Sequence, residues 1–241
     1  MDWSKRKILV TGGAIRVGAE IVKYFYHLGA EVFVHYRSNH NEINQTLEVM
    51  PKLRFIQADF TKSENIQKLC ELIKHENINT LINNASIYEH YNLAENSAEA
   101  IEKHLQINFY APQELMEAIV DNAKKSCSNF NIINILDQVL LQEKLPQGAY
   151  FQSKQALWQA TYKFAKLYGK FNCQVNAIAP GPMLAPEVIG NNRMAKTIPT
   201  LPLQRKVDIT DLNKTIAFLI ENSSITGAII PVDCGQHLGE I

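Results

Sequence analysis

Short apolar runs alternate with longer amphipathic segments along the 241 residues, and this alternation constrains the fold more than any other feature. The apolar runs are predicted strands at about 8–10, 31–35, 53–57, 80–83, 131–135, 174–178 and 228–232. The segments between them are predicted helices at about 15–28, 41–51, 63–75, 98–123 and 208–220, with one more that includes Tyr150 and ends near Gly169. Strands that alternate with helices form a parallel sheet covered on both faces. The sequence therefore predicts an α/β fold with one doubly wound parallel sheet.

One region, at about 179–206, departs from this alternation and contains five prolines. Irregular stretches of that length inside a compact domain are usually functional and often form lids. We therefore expect a single domain over residues 1–241, in which 179–206 forms a substrate-binding loop. A surface excursion without a function is the alternative.

Charge, cysteine content and hydropathy narrow the class of protein. The 24 basic and 24 acidic residues balance, so nucleic acid is not expected as a partner. The four cysteines form no Cys-x-x-Cys pair, and no histidine has a ligand-like neighbour, so we predict no metal site. No stretch approaches the roughly 20 apolar residues of a membrane span, and the N-terminus lacks an export signal. We expect a cytoplasmic protein with no membrane partner.

A glycine-rich turn, Thr11-Gly12-Gly13-Ala14-Ile15-Arg16-Val17-Gly18, follows the first predicted strand. Glycines at such a turn allow the backbone to approach a pyrophosphate at the helix N-terminus. A glycine turn alone is weak evidence, because many strand-to-helix turns contain glycine. Its place after the first strand of an alternating chain favours a dinucleotide site.

The segment His35-Tyr36-Arg37-Ser38-Asn39, after the second predicted strand, indicates which dinucleotide binds. An acidic residue there would bind the ribose hydroxyls of NAD, and this segment has none. Arg37 offers a guanidinium and Ser38 a hydroxyl to a ribose phosphate, which favours NADPH. A solvated surface arginine is the alternative.

Asp59, after the third strand, would either accept a hydrogen bond from adenine or cap the next helix.

Tyr150 and Lys154 stand four residues apart in a predicted helix and therefore share one face. A lysine ammonium beside a phenol favours phenolate, so we expect the pKa of Tyr150 to fall from its usual value of about 10. Such a tyrosine exchanges a proton near neutral pH. Asp137 precedes this pair, and Asn83-Asn84-Ala85-Ser86 ends the fourth strand, where open parallel sheets bind ligands.

In combination, these motifs resemble the short-chain dehydrogenase/reductase family over essentially the whole chain. The marks that occur in order are Thr11 to Gly18, Asp59, Asn83-Asn84-Ala85, Asn108, Tyr150 with Lys154, and Pro180-Gly181. The resemblance implies a Rossmann-like fold, with Tyr150 as proton donor and Lys154 as tuner of its pKa and anchor of the ribose. It also implies that Asn108 holds a proton-relay water, although a satisfied core amide is the simpler explanation of that residue alone. The predicted cofactor contacts are Gly12, Arg16, Gly18, Tyr36, Arg37, Ser38, Asp59, Asn84, Ala85, Ser86, Lys154, Pro180 and Gly181.

Three departures from the common family pattern point to one subgroup. Asp137 stands where most members carry serine, and Arg16 and Ser86 stand where most carry glycine. The pteridine reductases, including bacterial dihydromonapterin reductases, are similar to this chain at all three positions. The resemblance implies NADPH-dependent reduction of a pteridine C=N bond by a homotetramer.

The chemistry of the substrate explains the exchange of serine for an acid. A serine hydroxyl suits a carbonyl oxygen, whereas a ring nitrogen must gain a proton, which Asp137 would supply or relay. Its carboxylate would also accept hydrogen bonds from the amino face of a pterin. Arg16, Ser86 and Tyr88 complete the predicted substrate site, with Tyr88 stacking on the pterin. A capping role is the alternative for Asp137, and surface packing is an equal explanation for Tyr88.

Two other functions stay open. The first is a ketone reductase of the same family, acting on a substrate such as a 3-oxoacyl thioester, for which serine would replace Asp137. The second is a non-catalytic dinucleotide-binding sensor, which would not need Tyr150, Lys154 and Asn108.

Overall fold

The computed structural model describes residues 1–38, 43, 45–88, 97–143, 148–184 and 191–239 of the chain. The strands are β1 (Lys7–Val10), β2 (Glu31–Tyr36), β3 (Arg54–Gln57), β4 (Thr80–Asn83), β5 (Phe130–Ile135), β6 (Cys173–Pro180) and β7 (Ile229–Val232). Within the described residues they form one seven-stranded sheet in the order β3-β2-β1-β4-β5-β6-β7. Every neighbouring pair in that order is parallel.

The α-helices are α1 (Arg16–His27), α2 (Gln45–Glu48), α3 (Ser63–His75), α4 (Ala98–Leu105), α5 (Ala111–Ala123), α6 (Ala149–Tyr168), α7 (Asn191–Thr197) and α8 (Ile209–Glu221). A π-helical segment, Gln106–Tyr110, joins α4 to α5. Among the helices that the structure describes, none has the length and apolar character needed to cross a membrane.

Two hydrophobic cores cover opposite faces of the sheet. In β1, Leu9 packs into one core while Ile8 and Val10 pack into the other, because successive side chains of a strand point to opposite faces. The first core includes buried residues of α3, α5 and α6, and the second includes residues of α1 and α8. The predicted doubly wound parallel sheet with helices on both faces is therefore confirmed.

The sheet reverses its winding direction at β1, which pairs with β2 on one side and β4 on the other. Open parallel sheets bind ligands beyond the carboxyl ends of their strands at such a reversal. The glycine turn begins at Thr11 after β1, and Asn84 directly follows β4. The two predicted motifs therefore meet at the position where this fold binds ligands.

The described helices differ from the predicted ones in three places. The helix predicted at 41–51 is observed only as α2, and residues 41, 42 and 44 lie outside the described residues. The single helix predicted at 98–123 contains the π-helical segment, which includes Asn108. The region 179–206 was expected to be irregular, and that is wrong for its second half, which forms α7 and a 3-10 turn at Ile198–Thr200. Residues 185–190 of this region lie outside the described residues.

Candidate active site

The glycine turn is held in a conformation that requires glycine at two positions. Gly12 has a φ of 60°, in the left-handed region that favours glycine. A Cβ atom at Gly18 would collide with the carbonyl oxygen of Gly12, so the turn packs directly on the first turn of α1. The Asn84 Nδ2 donates to the carbonyl oxygens of Thr11 (3.0 Å) and Gly12 (3.2 Å), which fixes the turn against the end of β4.

A cavity of about 370 Å³ lies in front of this turn. The predicted cofactor residues that line it are Gly12, Arg16, Gly18, Tyr36, Arg37, Asp59, Asn84, Ala85 and Ser86. The other predicted cofactor residues, Ser38, Lys154, Pro180 and Gly181, are described but do not line this cavity. The Gly181 N–H donates to the carbonyl oxygen of Val232 at 3.0 Å, which places it between the ends of β6 and β7.

At the end of the cavity near β2 and β3 lie the guanidinium of Arg37 and the carboxylate of Asp59. Arg37 and Ser38 are exposed, and the Gln57 Nε2 donates to the Ser38 carbonyl oxygen at 2.7 Å. The Asp59 Oδ1 accepts hydrogen bonds from the Thr61 N–H (3.0 Å) and hydroxyl (2.8 Å), and the Thr61 N–H bond is the main reason that the pKa of Asp59 is lowered. Asp59 therefore caps the turn before α3, whereas its contact with adenine stays a prediction.

The chemical end of the site is built around a hydrogen bond between Tyr150 and Asp137. The Tyr150 hydroxyl donates to the Asp137 Oδ2 at 2.9 Å. The Asp137 Oδ1 accepts from the Val139 N–H at 3.0 Å and caps the 3-10 turn Gln138–Leu141. The capping explanation for Asp137 is thus observed on Oδ1, whereas its role in supplying or relaying a proton stays a prediction. Tyr150 is the second residue of α6, and Asp137 follows the end of β5.

Lys154 lies one helical turn after Tyr150 and is 3% exposed. Its Nζ donates to the Ile135 carbonyl oxygen at 2.8 Å and lies 5.9 Å from the centroid of the Tyr150 ring. Burial lowers the pKa of Lys154 to about 8, although the carboxylate of Asp137 acts in the opposite direction. The ammonium is therefore close to the phenol but directed at the backbone of β5.

The prediction that the pKa of Tyr150 falls is wrong. The pKa is raised well above 10, first because burial disfavours the phenolate and then because the hydroxyl faces the carboxylate of Asp137. Spacing along the helix correctly placed Lys154 beside Tyr150, but it gave no information on desolvation or on the carboxylate that approaches from β5. Tyr150 is consequently held as a neutral phenol, the form that can donate a proton.

Asn108 joins the loop after β4 to α6. It is fully buried, its Oδ1 accepts from the Ile87 N–H at 2.9 Å, and its Nδ2 donates to the Ile87 carbonyl oxygen at 3.0 Å. The same Nδ2 donates to the Ser153 Oγ at 3.0 Å. These contacts make Asn108 a satisfied core amide, and its predicted role with a relay water stays a prediction.

The aromatic ring of Tyr88 lies against that of Tyr150. The two ring centroids are 4.7 Å apart, with an angle of 73° between the planes, which is an edge-to-face contact. Tyr88 is 43% exposed, and Ser86, two residues earlier, is also exposed. The structure thus brings Tyr88 next to the proposed proton donor with part of its ring facing solvent.

His35 was not among the predicted site residues, yet it lines the same cavity and is 3% exposed. Its Nδ1 lies 3.0 Å from the Gly12 backbone nitrogen. The sequence does show a histidine at the end of an apolar run, directly before Tyr36. It gives no sign, however, that this histidine contacts the glycine turn, because that turn follows a different strand, β1.

The sheet order, the glycine turn and the Tyr150–Lys154 pair define an oxidoreductase that uses a dinucleotide. The family described as enoyl-(acyl carrier protein) reductase matches residues 13–237, and the chain belongs to the short-chain dehydrogenase/reductase family.

Named relatives with different activities align with nearly the whole chain. Dihydromonapterin reductase of Enterobacter sp. (strain 638) is 28% identical over 97% of this chain and 98% of that protein. L-xylulose reductase of Caenorhabditis elegans is 26% identical over 97% of this chain and 96% of that protein. Among solved structures, FolM alternative dihydrofolate reductase 1 from Brucella canis, complexed with NADP, superposes with a TM-score of 0.91 at 28% identity, covering 100% of this chain and 97% of that chain. The predicted family and the resemblance to dihydromonapterin reductases are confirmed.

Proposed function

We propose that this protein is an NADPH-dependent pteridine reductase, which reduces a ring C=N bond of a dihydropterin to give the tetrahydropterin. The observation that carries the proposal is the 2.9 Å hydrogen bond from the Tyr150 hydroxyl to the Asp137 carboxylate, at a position where a ketone reductase of this family would carry serine. The similarity to proteins named dihydromonapterin reductase and FolM alternative dihydrofolate reductase 1 supports the same substrate class.

The cavity in front of the glycine turn fits a phosphorylated dinucleotide. The close packing of Gly12 on Gly18 leaves backbone rather than side chains at the turn, which a pyrophosphate can approach. Arg37, exposed at the end of the cavity, would pair with the ribose phosphate, and the two described residues directly after β2, Arg37 and Ser38, include no acidic side chain that would repel this phosphate. Bound NADPH supplies the hydride for the reaction.

Reduction of a C=N bond adds a hydride to carbon and a proton to nitrogen. Tyr150 is the proposed source of the proton, because burial and Asp137 keep its hydroxyl protonated at neutral pH. After the transfer, the ammonium of Lys154, 5.9 Å from the ring, stabilises the phenolate by charge. Asp137 orients the hydroxyl and provides the route by which the proton is replaced from solvent.

The residues around this donor suit a flat, polar heterocycle. The Asp137 carboxylate would accept hydrogen bonds from the amino face of the pterin, and the half-exposed ring of Tyr88 would pack on its plane. Arg16 begins α1 with a φ of 51° and lines the same cavity as Ser86, so we place the polar edge of the pterin between them.

A reductase of carbonyl substrates is the second candidate function. The similarity to an L-xylulose reductase and to a protein named 3-oxoacyl-[acyl-carrier-protein] reductase favours it. The replacement of serine by Asp137 argues against it, because a carboxylate repels the developing alkoxide of a reduced ketone.

Oxidation of NADPH in the presence of a substrate panel tests the proposal. The panel contains dihydromonapterin, dihydrobiopterin, dihydrofolate, one pentulose and one 3-oxoacyl thioester. We expect oxidation with at least one dihydropterin and no oxidation with the carbonyl compounds. Turnover of a carbonyl compound, with every pterin inert, would transfer the assignment to the second candidate.

We also propose that the protein acts as a homotetramer in the cytoplasm, as the family resemblance implies. Sedimentation velocity of the purified protein measures the number of subunits directly. A monomer at micromolar concentration would contradict the tetramer without affecting the proposed reaction.

A further inference from the structure

His35 is the fifth residue of β2 and the one polar side chain in the buried part of that strand, Val32–His35. Its ring stacks on Phe60, with the centroids 4.3 Å apart and an interplanar angle of 2°. Its Nε2 lies 2.8 Å from the Ala58 carbonyl oxygen and its Nδ1 lies 3.0 Å from the Gly12 backbone nitrogen. One imidazole therefore bridges the chain after β3 to the glycine turn after β1.

The identity of the two partners fixes the tautomer of the ring. The Gly12 N–H can only donate, so the Nδ1 of His35 must accept. The Ala58 carbonyl oxygen can only accept, so the Nε2 must carry the proton and donate. Both contacts require a neutral imidazole, and burial lowers the pKa of His35 to about 4, which keeps the ring neutral at physiological pH.

The main chain of His35 holds the turn as well. The Gly13 N–H donates to the His35 carbonyl oxygen at 2.9 Å, and this bond would survive any change of side chain. The Gly12 N–H donates to the imidazole itself, so this second bond is lost when the side chain changes. Gly12 is the residue with the left-handed backbone that packs on Gly18, so its orientation determines the surface that the turn presents to the cavity.

We propose that the imidazole of His35 is a positioning residue for the cofactor, because it holds the Gly12 amide and thereby preorganises the turn on which the pyrophosphate of NADPH binds. The inference rests on the proposed function, since it takes NADPH as the ligand of the turn. Loss of the contact leaves a buried N–H unpaired and lets the turn relax, so binding then requires reordering of the turn. The chemistry at Tyr150 lies outside this contact and is expected to keep its rate once the cofactor is bound.

Two amide replacements separate the two contacts of His35. In His35→Asn the short side chain can offer an oxygen near the Nδ1 position for the Gly12 N–H, but it cannot reach Ala58. In His35→Gln the longer side chain can place an NH₂ near the Nε2 position for Ala58, but it leaves Gly12 unpaired. His35→Phe keeps the stacking on Phe60 and removes both hydrogen bonds. If His35 served only to join β2 to the chain after β3, the effects would be reversed. His35→Asn, which loses the Ala58 contact, would then be more damaging than His35→Gln.

The experiment measures the Kd for NADPH by fluorescence titration, kcat at saturating NADPH, and unfolding in urea for each variant. We expect His35→Gln and His35→Phe to raise the Kd by about 5- to 150-fold, the range for a buried group left unpaired, with kcat within about twofold of the parent. We expect His35→Asn to stay within about threefold of the parent Kd. The matched control is His104→Asn, which alters a fully buried histidine, bonded to the Ala100 carbonyl oxygen, that does not line the cavity.

The outcomes distinguish this inference from the proposed function. If His35→Gln binds NADPH as tightly as the parent, or if His35→Asn is as weak as His35→Phe, the Gly12 contact does not position the cofactor. If the parent binds NADPH but reduces no pterin, only the proposed function fails. If the parent does not bind NADPH, both fail.

A second measurement on the folded parent protein covers the case in which the variants do not fold. The scalar coupling between the Gly12 amide nitrogen and the His35 Nδ1 reports the hydrogen bond directly in ¹⁵N-labelled protein. Observation of the coupling with and without NADPH supports the inference, and its absence from both spectra overturns it.

Discussion

Replacement of Asp137 by asparagine isolates the contribution of one carboxylate oxygen to the reaction. The Oδ1 that caps Val139 has an equivalent oxygen in asparagine, so the local fold should persist. The Oδ2 that accepts the hydrogen bond from Tyr150 becomes an NH₂ group, which cannot accept it. The variant therefore removes the charge and the acceptor beside the proposed proton donor while it preserves the cap.

The magnitude follows from the kind of contact that is lost. A hydrogen bond to a charged group contributes about 1.5–3 kcal/mol. If the Asp137 contact orients Tyr150 in the transition state, kcat/KM for a dihydropterin should fall by about 10- to 150-fold. The Kd for NADPH should stay unchanged, because Asp137 does not line the cavity in front of the glycine turn.

The pH dependence should change as well. Burial is the main cause of the raised pKa of Tyr150, and the carboxylate of Asp137 adds to it. Without that carboxylate the phenolate is less disfavoured, so the pKa of Tyr150 should fall while burial still keeps it raised. The alkaline limb of the kcat profile, on which the donor loses its proton, should therefore move to lower pH in Asp137→Asn.

Steady-state oxidation of NADPH from pH 6 to well above pH 10, where the alkaline limb of the parent lies, measures both effects. Asp208→Asn is the matched control, since Asp208 also caps a helix by accepting from the Thr210 N–H at 2.8 Å, far along the chain at the start of α8. Asp137→Ser keeps a capping hydroxyl and restores the residue that is common in ketone reductases. Should Asp137→Asn retain the parent kcat/KM and pH profile, Asp137 is only a cap and the pteridine proposal loses the observation that carries it.

Three further predictions concern other parts of the site. Tyr150→Phe should lower kcat at least about a hundredfold with an unchanged Kd for NADPH, and a smaller loss would exclude Tyr150 as the proton donor. Arg37→Ala should weaken NADPH binding about tenfold or more and leave NADH unaffected; equal effects in the two titrations would show that Arg37 does not contact the ribose phosphate. Because the pKa of His35 is lowered from 6.5 to about 4 in the folded state, the unfolded chain binds more protons between these values. The free energy of unfolding should therefore decrease as the pH is lowered from 6.5 towards 4, by up to about 3 kcal/mol at about 1.4 kcal/mol per pH unit. Urea unfolding at pH 7 and pH 4.5 should show this component in the parent and not in His35→Phe, and a loss of the same size in both would contradict it.

The sequence alone determined the features that are local in the chain. The alternation of apolar runs with amphipathic segments predicted all seven strands of the sheet, because burial on a strand or helix leaves a periodic pattern. The glycine turn after β1 and the spacing of Tyr150 and Lys154 on α6 are equally local, and so is the acid at Asp137. These motifs, in order, were sufficient to predict the family.

Only the tertiary structure decided how these residues interact. The direction of the pKa shift at Tyr150 depends on desolvation and on a carboxylate that follows β5, and neither is visible in the spacing of α6. Asn108 donates hydrogen bonds both to the loop after β4 and to α6, and these partners depend on the packing of segments far apart in sequence. Gly12 follows β1, His35 lies in β2 and Ala58 follows β3, so the two hydrogen bonds of His35 join segments from three different strands. Periodicity records whether a side chain is buried, whereas its hydrogen-bond partner is chosen by the neighbours that folding brings to it.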